Sequence, residues 1–239
     1  MANPTAAILV IGDEILTGRT RDSNLHYLAG KLAGAGIDLV EARIVADDPV
    51  AIAAAVRALS AACDHVFTSG GIGPTHDDIT ADAVAEAMGV GIGPRADALA
   101  ILQAHYDRQG VEFNESRRRM ARIPDGATLI ENPVSAAPGF TIGNVHVMAG
   151  VPQIFEAMVA SVLPGLAGGA PLLTQTLRVM RPEADIAAPF GALAAEYPDL
   201  SMGSYPFVQG GAYGTNLVIR GTDPGRVSEA MLRLTGLFG

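Results

Sequence analysis

The chain has 239 residues, 49% of them hydrophobic, which is enough to bury the core of one large α/β domain with or without a small second domain. Its formal net charge of −9 argues against a broad nucleic-acid surface, which needs clustered Lys and Arg side chains. The single cysteine, Cys63, excludes an intramolecular disulfide and a thiolate zinc site. The first residues lack a basic segment, and their apolar run is too short to cross a bilayer. We therefore expect a cytoplasmic protein with neither a membrane nor a nucleic-acid partner.

Strand-like and helix-like patterns alternate in the first part of the chain. Continuous apolar runs predict strands at 6–12, 37–45 and 65–70. Leucines at helical spacing predict a helix within 22–36, Pro49 opens a second helix, and a third follows at 81–88. Such an order predicts a parallel sheet with right-handed crossovers and helices on both faces.

The remaining patterns complete this domain and add a smaller one. Helices are predicted at 96–109, 114–122 and 151–163, and short strands include a hairpin turning at Gly143-Asn144. A linker rich in Gly and Pro at 164–171 precedes a β-α-β-β-α pattern. The fold class expected is therefore a three-layer α/β/α domain with a mostly parallel sheet over residues 1–166, followed by a small α+β domain over 171–239.

Carboxylates and glycines follow the predicted strands. In an open parallel sheet, ligands bind outside the carboxyl ends of the strands, so the residues after each strand share one edge. Six carboxylates and four glycines are expected there: Asp13, Glu14, Asp47, Asp48, Asp77, Asp78, Gly70, Gly71, Gly73 and Gly150. Because so many carboxylates repel one another, we expect a divalent cation such as Mg²⁺, which binds one or two carboxylates together with phosphate oxygens.

The segment TSGGIGPTHDDIT at 68–80 places a glycine loop directly before two adjacent aspartates. Without Cβ atoms, the amides of such a loop can approach an anion closely, and a following helix adds a favourable dipole. An anion cradle beside carboxylates is consistent only if a metal ion bridges them. The loop lacks the ending of a Walker A loop and the third glycine of the dinucleotide fingerprint. The pattern therefore predicts a phosphate or pyrophosphate ligand with a divalent ion.

The same segment resembles the GG-hydrophobe-GPT-x-DD-x-T signature of the molybdopterin-binding domain family, and in particular the amino-terminal domain of competence/damage-inducible proteins. Four other segments, in the same order as in the family, resemble its motifs: GDEILTG at 12–18, RDSNLHYLA at 21–29, NPVSAAPGF at 132–140 and AGVPQIF at 149–155. Two departures stand out. Ser135 and Ala136 occupy the positions where the family has Gly-Thr, and Ala149 occupies the position of a proline.

The resemblance implies a three-layer fold and a molybdopterin or nucleotide diphosphate ligand. Some relatives adenylylate molybdopterin, whereas the damage-inducible branch is associated with metal-dependent hydrolysis of pyrophosphates such as ADP-ribose. The 239 residues end before the amidohydrolase domain of full-length members, so nicotinamide mononucleotide deamidation is not expected of them. The candidate catalytic residues implied are Asp47, Asp77 and Asp78, and the candidate metal ligands are Glu14, Asp77 and Asp78, with Mg, Mn or Co as the ion. The candidate ligand-binding residues are Gly70, Gly71, Gly73, Pro74, Thr75, Asn24, Gly139 and Gly150.

Purely structural interpretations remain for several of these residues. The glycine loop would also suit a tight strand-to-helix turn, and Asp77 or Asp78 would suit the first turn of a helix. Asp47 would suit the cap of the helix after Pro49. The arginines at 117–122 would suit a solvated helix face, or Arg119 or Arg122 would reach substrate phosphates from a neighbouring subunit.

Three functions are compatible with these patterns. The first is a divalent-metal-dependent pyrophosphohydrolase acting on a nucleotide diphosphate, favoured by the paired aspartates and the linked small domain. The second is a pterin- or nucleotide-binding protein without turnover, favoured by the departures at Ser135 and Ala136. The third is a molybdopterin adenylyltransferase, which the additional domain disfavours. Homo-oligomerisation is expected from the resemblance alone.

Overall fold

The computed structural model describes residues 2–239, which divide into two compact units, one reaching Gly169 and one comprising Ala170–Gly239. The division lies within the predicted linker at 164–171. Within the described residues, no helix combines the length and the apolar character needed to span a bilayer.

The first unit alternates strands and helices as its sequence predicts. Its strands are β1 Thr5–Ile11, β2 Asp38–Val45, β3 His65–Ser69, β4 Ile92–Pro94, β5 Arg122–Pro124, β6 Thr128–Ile130, β7 Gly139–Ile142 and β8 Val145–Met148. Its helices are α1 Asp13–Leu16, α2 Asn24–Ala35, α3 Pro49–Ala62, α4 Thr80–Met88, α5 Ala96–Gln109, α6 Glu115–Arg118 and α7 Pro152–Val162.

The central sheet has six strands in the order β2-β1-β3-β8-β7-β6. The pairs β1–β2, β1–β3 and β3–β8 are parallel, and the hairpin β7–β8 and the pair β6–β7 are antiparallel. Helices α2 and α7 pack on one face through residues such as Leu28 and Phe155, and α3, α4 and α5 cover the other through residues such as Ile52 and Leu102. The predicted three-layer arrangement with a mostly parallel sheet is confirmed.

The segment 114–122 differs from its prediction as one helix. Helix α6 ends at Arg118, a single 3₁₀ turn spans Arg119–Ala121, and Arg122 begins β5. Strand β5 pairs antiparallel with β4, a strand that the sequence patterns did not reveal. Both strands have three residues, which is too short for a recognisable alternation of apolar and polar side chains.

The second unit is a small α+β domain, as predicted. Its strands are β9 Leu173–Val179, β10 Ser201–Gln209 and β11 Ala212–Gly221, and its helices are α8 Glu183–Glu196 and α9 Pro224–Phe238. The three strands form an antiparallel sheet in the order β10-β11-β9. Helices α8 and α9 pack on it through residues such as Ile186 and Leu234, which share a core with Leu217 of β11.

A buried histidine lies inside the central sheet of the first unit. The side chain of His146 on β8 is 3% exposed, its ring centroid lies 4.9 Å from that of Phe67, and its Nε2 lies 3.3 Å from Nδ1 of His65. Burial, with a smaller contribution from the charge of His65, lowers the pKa of His146 to about 4. The folded chain therefore holds this imidazole neutral at pH values where an unfolded chain would protonate it.

We expect the free energy of unfolding to decrease as the pH falls from 6.5 to about 4. A histidine whose pKa is lowered on folding contributes stability that is fully present above 6.5, the ordinary pKa, and is lost as the pH falls toward the folded value. At about 1.4 kcal/mol per pH unit, this window corresponds to roughly 3 kcal/mol. Urea denaturation at several pH values, compared between the wild type, His146→Gln and the exposed control His26→Gln, measures the slope. An equally steep loss of stability in His146→Gln would contradict this assignment.

Candidate functional site

A cavity of about 610 Å³ opens at the carboxyl ends of β1, β3 and β8, which is the edge that the parallel topology predicts for a ligand. The loops after these strands line it, together with Asp47, two positions after the end of β2, and the loop between β6 and β7. The lining residues are Ile11, Gly12, Glu14, Thr20, Asp47, Gly70, Gly71, Ile72, Gly73, Pro74, Asp77, Asp78, Met120, Asn132, Ser135, Ala137, Ala149, Gly150, Val151, Pro152 and Ile154.

Four of the six carboxylates expected at this edge line the cavity, namely Glu14, Asp47, Asp77 and Asp78. Of the adjacent aspartates Asp47 and Asp48, only Asp47 lines the cavity. Oδ2 of Asp47 accepts a hydrogen bond of 2.9 Å from the amide of Asp13. Oδ1 of Asp48 instead accepts from the amide of Ala51 at 2.7 Å and caps α3. The interpretation of Asp47 as the cap of this helix is therefore wrong, because Asp48 fills that role.

The carboxylates of the cavity lie close enough to influence one another. Burial raises the pKa of Asp47, and the hydrogen bond from the Asp13 amide acts in the opposite direction. The negative charges of Asp13, Glu14 and Asp77 raise the pKa further. Like charges held together in this way are typical of a site that binds a cation or transfers a proton.

The glycine loop leaves three backbone amides without a protein acceptor beside the cavity. Within residues 2–239, the amides of Gly71, Ile72 and Gly73 donate to no protein acceptor, and all three residues line the cavity. Gly70 itself has a φ of 113°, and a Cβ atom built on it would lie 2.2 Å from the carbonyl oxygen of Ile11. Glycine is therefore required at position 70 because the loop passes close to the end of β1. The three consecutive free amides are suited to bind an anion.

The two aspartates of the signature have different surroundings. The amide and the hydroxyl of Thr75 donate to Oδ2 of Asp78, at 2.8 and 2.6 Å. The neighbouring Thr75 hydroxyl, followed by the backbone amide of Asp77, also keeps the pKa of Asp77 below its ordinary value. Helix α4 begins at Thr80, so neither aspartate lies in its first turn, and the capping interpretation is wrong. Asp78 shapes the loop, whereas Asp77 leaves its carboxylate largely exposed at the cavity.

Three of the predicted ligand-binding residues do not line this cavity. Thr75 is engaged with Asp78. Asn24 is 4% exposed, and its Nδ2 donates to Oγ of Ser69 and to the carbonyl oxygen of Gly150, both at 2.8 Å, so it ties together the loops after β3 and β8. Gly139 begins β7, where a Cβ atom would lie 2.3 Å from the Val147 carbonyl oxygen. Strand packing therefore explains this glycine. Pro74 and Gly150 do line the cavity, as predicted.

The loop between β6 and β7 forms a wall that was not among the predicted site residues. Nδ2 of Asn132 donates to Oγ of Ser135 at 2.7 Å and to the carbonyl oxygen of Ala137 at 2.8 Å, and its Oδ1 accepts from the amides of Val134 and Ser135. Ala136 has a φ of 63°, a left-handed conformation that L-residues rarely adopt. The resemblance of NPVSAAPGF to its family motif located this loop and marked Ser135 and Ala136 as departures, but neither was proposed as a site residue.

The predicted metal ligands Glu14, Asp77 and Asp78 all line one cavity, but they do not form a closed metal cage. Among residues 2–239, no group of three His, Cys, Asp or Glu side chains is arranged to hold an ion by itself. An Mg²⁺ ion that binds through one or two carboxylates takes its other ligands from water and phosphate oxygens. Carboxylates beside free amides therefore fit an ion that binds together with a phosphate ligand.

Comparisons with known proteins match both units to known domains. Residues 7–168 match the family described as probable molybdopterin binding domain, and residues 171–239 match the middle domain of FAD synthase. The two matches correspond to the two structural units. A nucleotide- or pterin-related function follows from this pairing of domains.

Individual relatives cover mainly the first unit. A protein of Caldivirga maquilingensis is 36% identical over 165 residues, covering 67% of this chain and 64% of the relative. A CinA-like protein of Citrifermentans bemidjiense is 40% identical over 167 residues, covering 68% of this chain and 40% of the relative. The chain thus spans less than two thirds of the length of either relative.

A solved structure also matches the first unit. The protein CinA of Thermoplasma acidophilum, whose function is described as unknown, superposes with a TM-score of 0.62 at 33% identity, covering 68% of this chain and 97% of that structure. The family match extends over more than half of the chain and includes every element that lines the cavity. This chain therefore belongs to the molybdopterin-binding domain family, with CinA-like proteins among its relatives.

Proposed function

We propose that this chain is a divalent-metal-dependent pyrophosphohydrolase that acts on a nucleotide diphosphate such as ADP-ribose. The observation that carries the proposal is the juxtaposition, in one cavity, of three unbonded loop amides at 71–73 and four carboxylates. The amides attract an anion that the carboxylates repel. A divalent cation bound between the carboxylates and the anion removes this repulsion. A pyrophosphate with its metal ion meets both requirements.

The residues of the cavity divide into three roles. The amides of Gly71, Ile72 and Gly73 bind the pyrophosphate oxygens and orient the anhydride. One or two of the carboxylates of Glu14, Asp77 and Asp78, together with water and phosphate oxygens, would hold the metal ion, which when bound neutralises charge on the phosphoryl oxygens and lowers the pKa of water. Asp47, whose pKa burial raises, accepts the proton of the attacking water.

The reaction follows from these roles. The oxygen of one water molecule forms a new bond to a phosphorus atom of the anhydride, and the bond from that phosphorus to the bridging oxygen breaks. The bridging oxygen leaves with the other phosphate, and the proton lost by the water passes to Asp47. With ADP-ribose, the products are AMP and ribose 5-phosphate.

The test is an incubation of the purified chain with ADP-ribose, and separately with flavin adenine dinucleotide, in the presence of Mg²⁺, Mn²⁺ or Co²⁺. AMP is measured by chromatography. We expect AMP only with metal ion, and we expect Asp77→Asn to lower its rate of formation at least roughly 100-fold. Metal-independent release, or full activity in Asp77→Asn, would contradict the proposal.

A second candidate is a protein that binds a molybdopterin or a nucleotide without turnover. The description of the matching family and the volume of the cavity, which is of the size of small-molecule sites, favour it. Saturable binding of ADP without AMP formation from either substrate under any metal would favour this candidate. Formation of an adenylylated pterin from ATP would instead indicate adenylyl transfer.

A further inference from the structure

We propose that Arg119 and Arg122 are positioning residues, which hold the loop carrying Asp77 and Asp78 from behind the cavity. The effect on catalysis rests on the proposed function, whereas the effect on the loop does not. Neither arginine lines the ligand cavity. Within one chain, both are therefore placed to act through the loop.

The two arginines bind the two ends of one short segment. Nη2 of Arg119 donates to the backbone carbonyl oxygen of Asp78 at 3.2 Å. Nη2 of Arg122 forms an ion pair with Oδ1 of Asp82, in the first turn of α4. The 3₁₀ turn and β5 are thereby connected to the segment 78–82, which lies about 40 positions earlier in the chain. This segment joins the glycine loop to its helix.

Neighbouring arginines in the same run behave differently. The guanidinium of Arg117 contacts the carbonyl oxygen of Glu112 and lies over the ring of Tyr106. Nε of Arg118 donates to the carbonyl oxygen of Phe113, five positions away, and its guanidinium lies over that ring. Arg117 and Arg118 therefore bind residues close to them in the sequence. They serve as matched controls for the two arginines that reach the loop.

Arg119 and Arg122 differ in burial from arginines on a solvated helix face. Nε of each is buried and has no partner within residues 2–239. A guanidinium whose only role was solubility would keep its N–H groups in water, because burying an unpaired one costs free energy. Both arginines line a small space of about 20 Å³ behind the glycine loop, together with Gly71, Gly73 and Asp78. Their place behind the loop is thus built into the packing of the domain.

Asp78 is consequently held through both its side chain and its backbone. Thr75 donates to its carboxylate and Arg119 donates to its carbonyl oxygen. The Asp77 carboxylate and the free amides at 71–73 belong to the same short loop. Removal of Arg119 releases one of the two attachments and lets these groups shift. Misplacement of catalytic groups by about 1 Å costs up to roughly 100-fold in rate.

The first experiment compares Arg119→Ala, Arg119→Lys and the control Arg118→Ala in the full chain. Hydrogen exchange of the amides at 71–78 is measured by mass spectrometry, and AMP release from ADP-ribose is measured with its kcat and KM. We expect faster exchange in Arg119→Ala, with a fall in kcat of roughly 10- to 100-fold and a smaller change in KM. Arg119→Lys should lie between Arg119→Ala and the wild type in both exchange rate and kcat. Arg118→Ala should resemble the wild type.

A double-mutant cycle separates positioning from direct catalysis. If Arg119 acts through the aspartate loop, Arg119→Ala should lower kcat by a smaller factor in an Asp77→Asn background than in the wild type. If the loss of kcat in the double variant equals the product of the two single losses, the positioning role is overturned. If the wild type releases no AMP, the proposed function fails, and hydrogen exchange still tests the attachment. Unchanged exchange at 71–78 in Arg119→Ala would overturn the attachment itself.

Discussion

Replacement of Asp47 by Asn is expected to lower the rate of AMP release from ADP-ribose roughly 100- to 1000-fold. Asn retains an oxygen that can accept from the Asp13 amide, so the contact that holds this side chain is preserved. It loses the capacity to accept a proton. Because its pKa is raised, the Asp47 carboxylate is a stronger base than an ordinary aspartate, which favours proton transfer from water.

The adjacent residue offers a matched control. Asp48→Asn should leave the rate within about 2-fold of the wild type, because Asn is an equally good cap for α3. Thermal denaturation of both variants shows whether each remains folded. We expect Asp47→Asn to melt no lower than the wild type at neutral pH, since it removes a charge that Asp13, Glu14 and Asp77 repel. Equal losses of activity in the two variants would contradict the distinction between them.

The second large effect concerns the metal ion. A chelator should abolish AMP release, and added Mg²⁺ should restore it. Glu14→Gln should raise the Mg²⁺ concentration needed for half-maximal activity by roughly 10-fold, because a charged oxygen ligand is replaced by a neutral one. The Glu14 carboxylate folds back over Gly12, where a Cβ atom would lie 2.7 Å from its oxygens.

Glu86→Gln is the control for this experiment. Glu86 is an exposed carboxylate on α4 that pairs with Arg57, and it does not line the cavity. Its replacement should leave the dependence on Mg²⁺ unchanged. A loss of activity in Glu14→Gln that is the same at every Mg²⁺ concentration would show that Glu14 does not hold the ion.

Local patterns predicted most of the regular structure. The apolar run of β1, the proline that opens α3 and the Gly143-Asn144 hairpin each reflect short-range physics, namely burial, a fixed φ and a two-residue turn. The segment 114–122 was the main exception. Its arginines favour a helix, but Arg122 pairs in β5, so contact with β4 prevailed over local preference.

Residue type alone could not show which of two adjacent aspartates has a role in the site. Asp47 and Asp48 are identical side chains one position apart, yet one faces the cavity and the other caps a helix. Asp77 and Asp78 also differ, because the amide and the hydroxyl of Thr75 both donate to the Asp78 carboxylate, whereas the Asp77 carboxylate is largely exposed. The backbone directions that decide these roles arise when the loops pack against one another.

Sequence by itself determined the fold class, the division into two domains and the edge of the sheet where the cavity lies. Each of these depends on the order of apolar runs and turn residues, and the connection rules of parallel sheets convert that order into topology. Only the tertiary structure decided which carboxylates face the cavity, that Ser135 lines it, and that Arg119 and Arg122 reach behind the aspartate loop. The two arginine contacts join positions about 40 residues apart, and local patterns carry no information about which distant partners will meet.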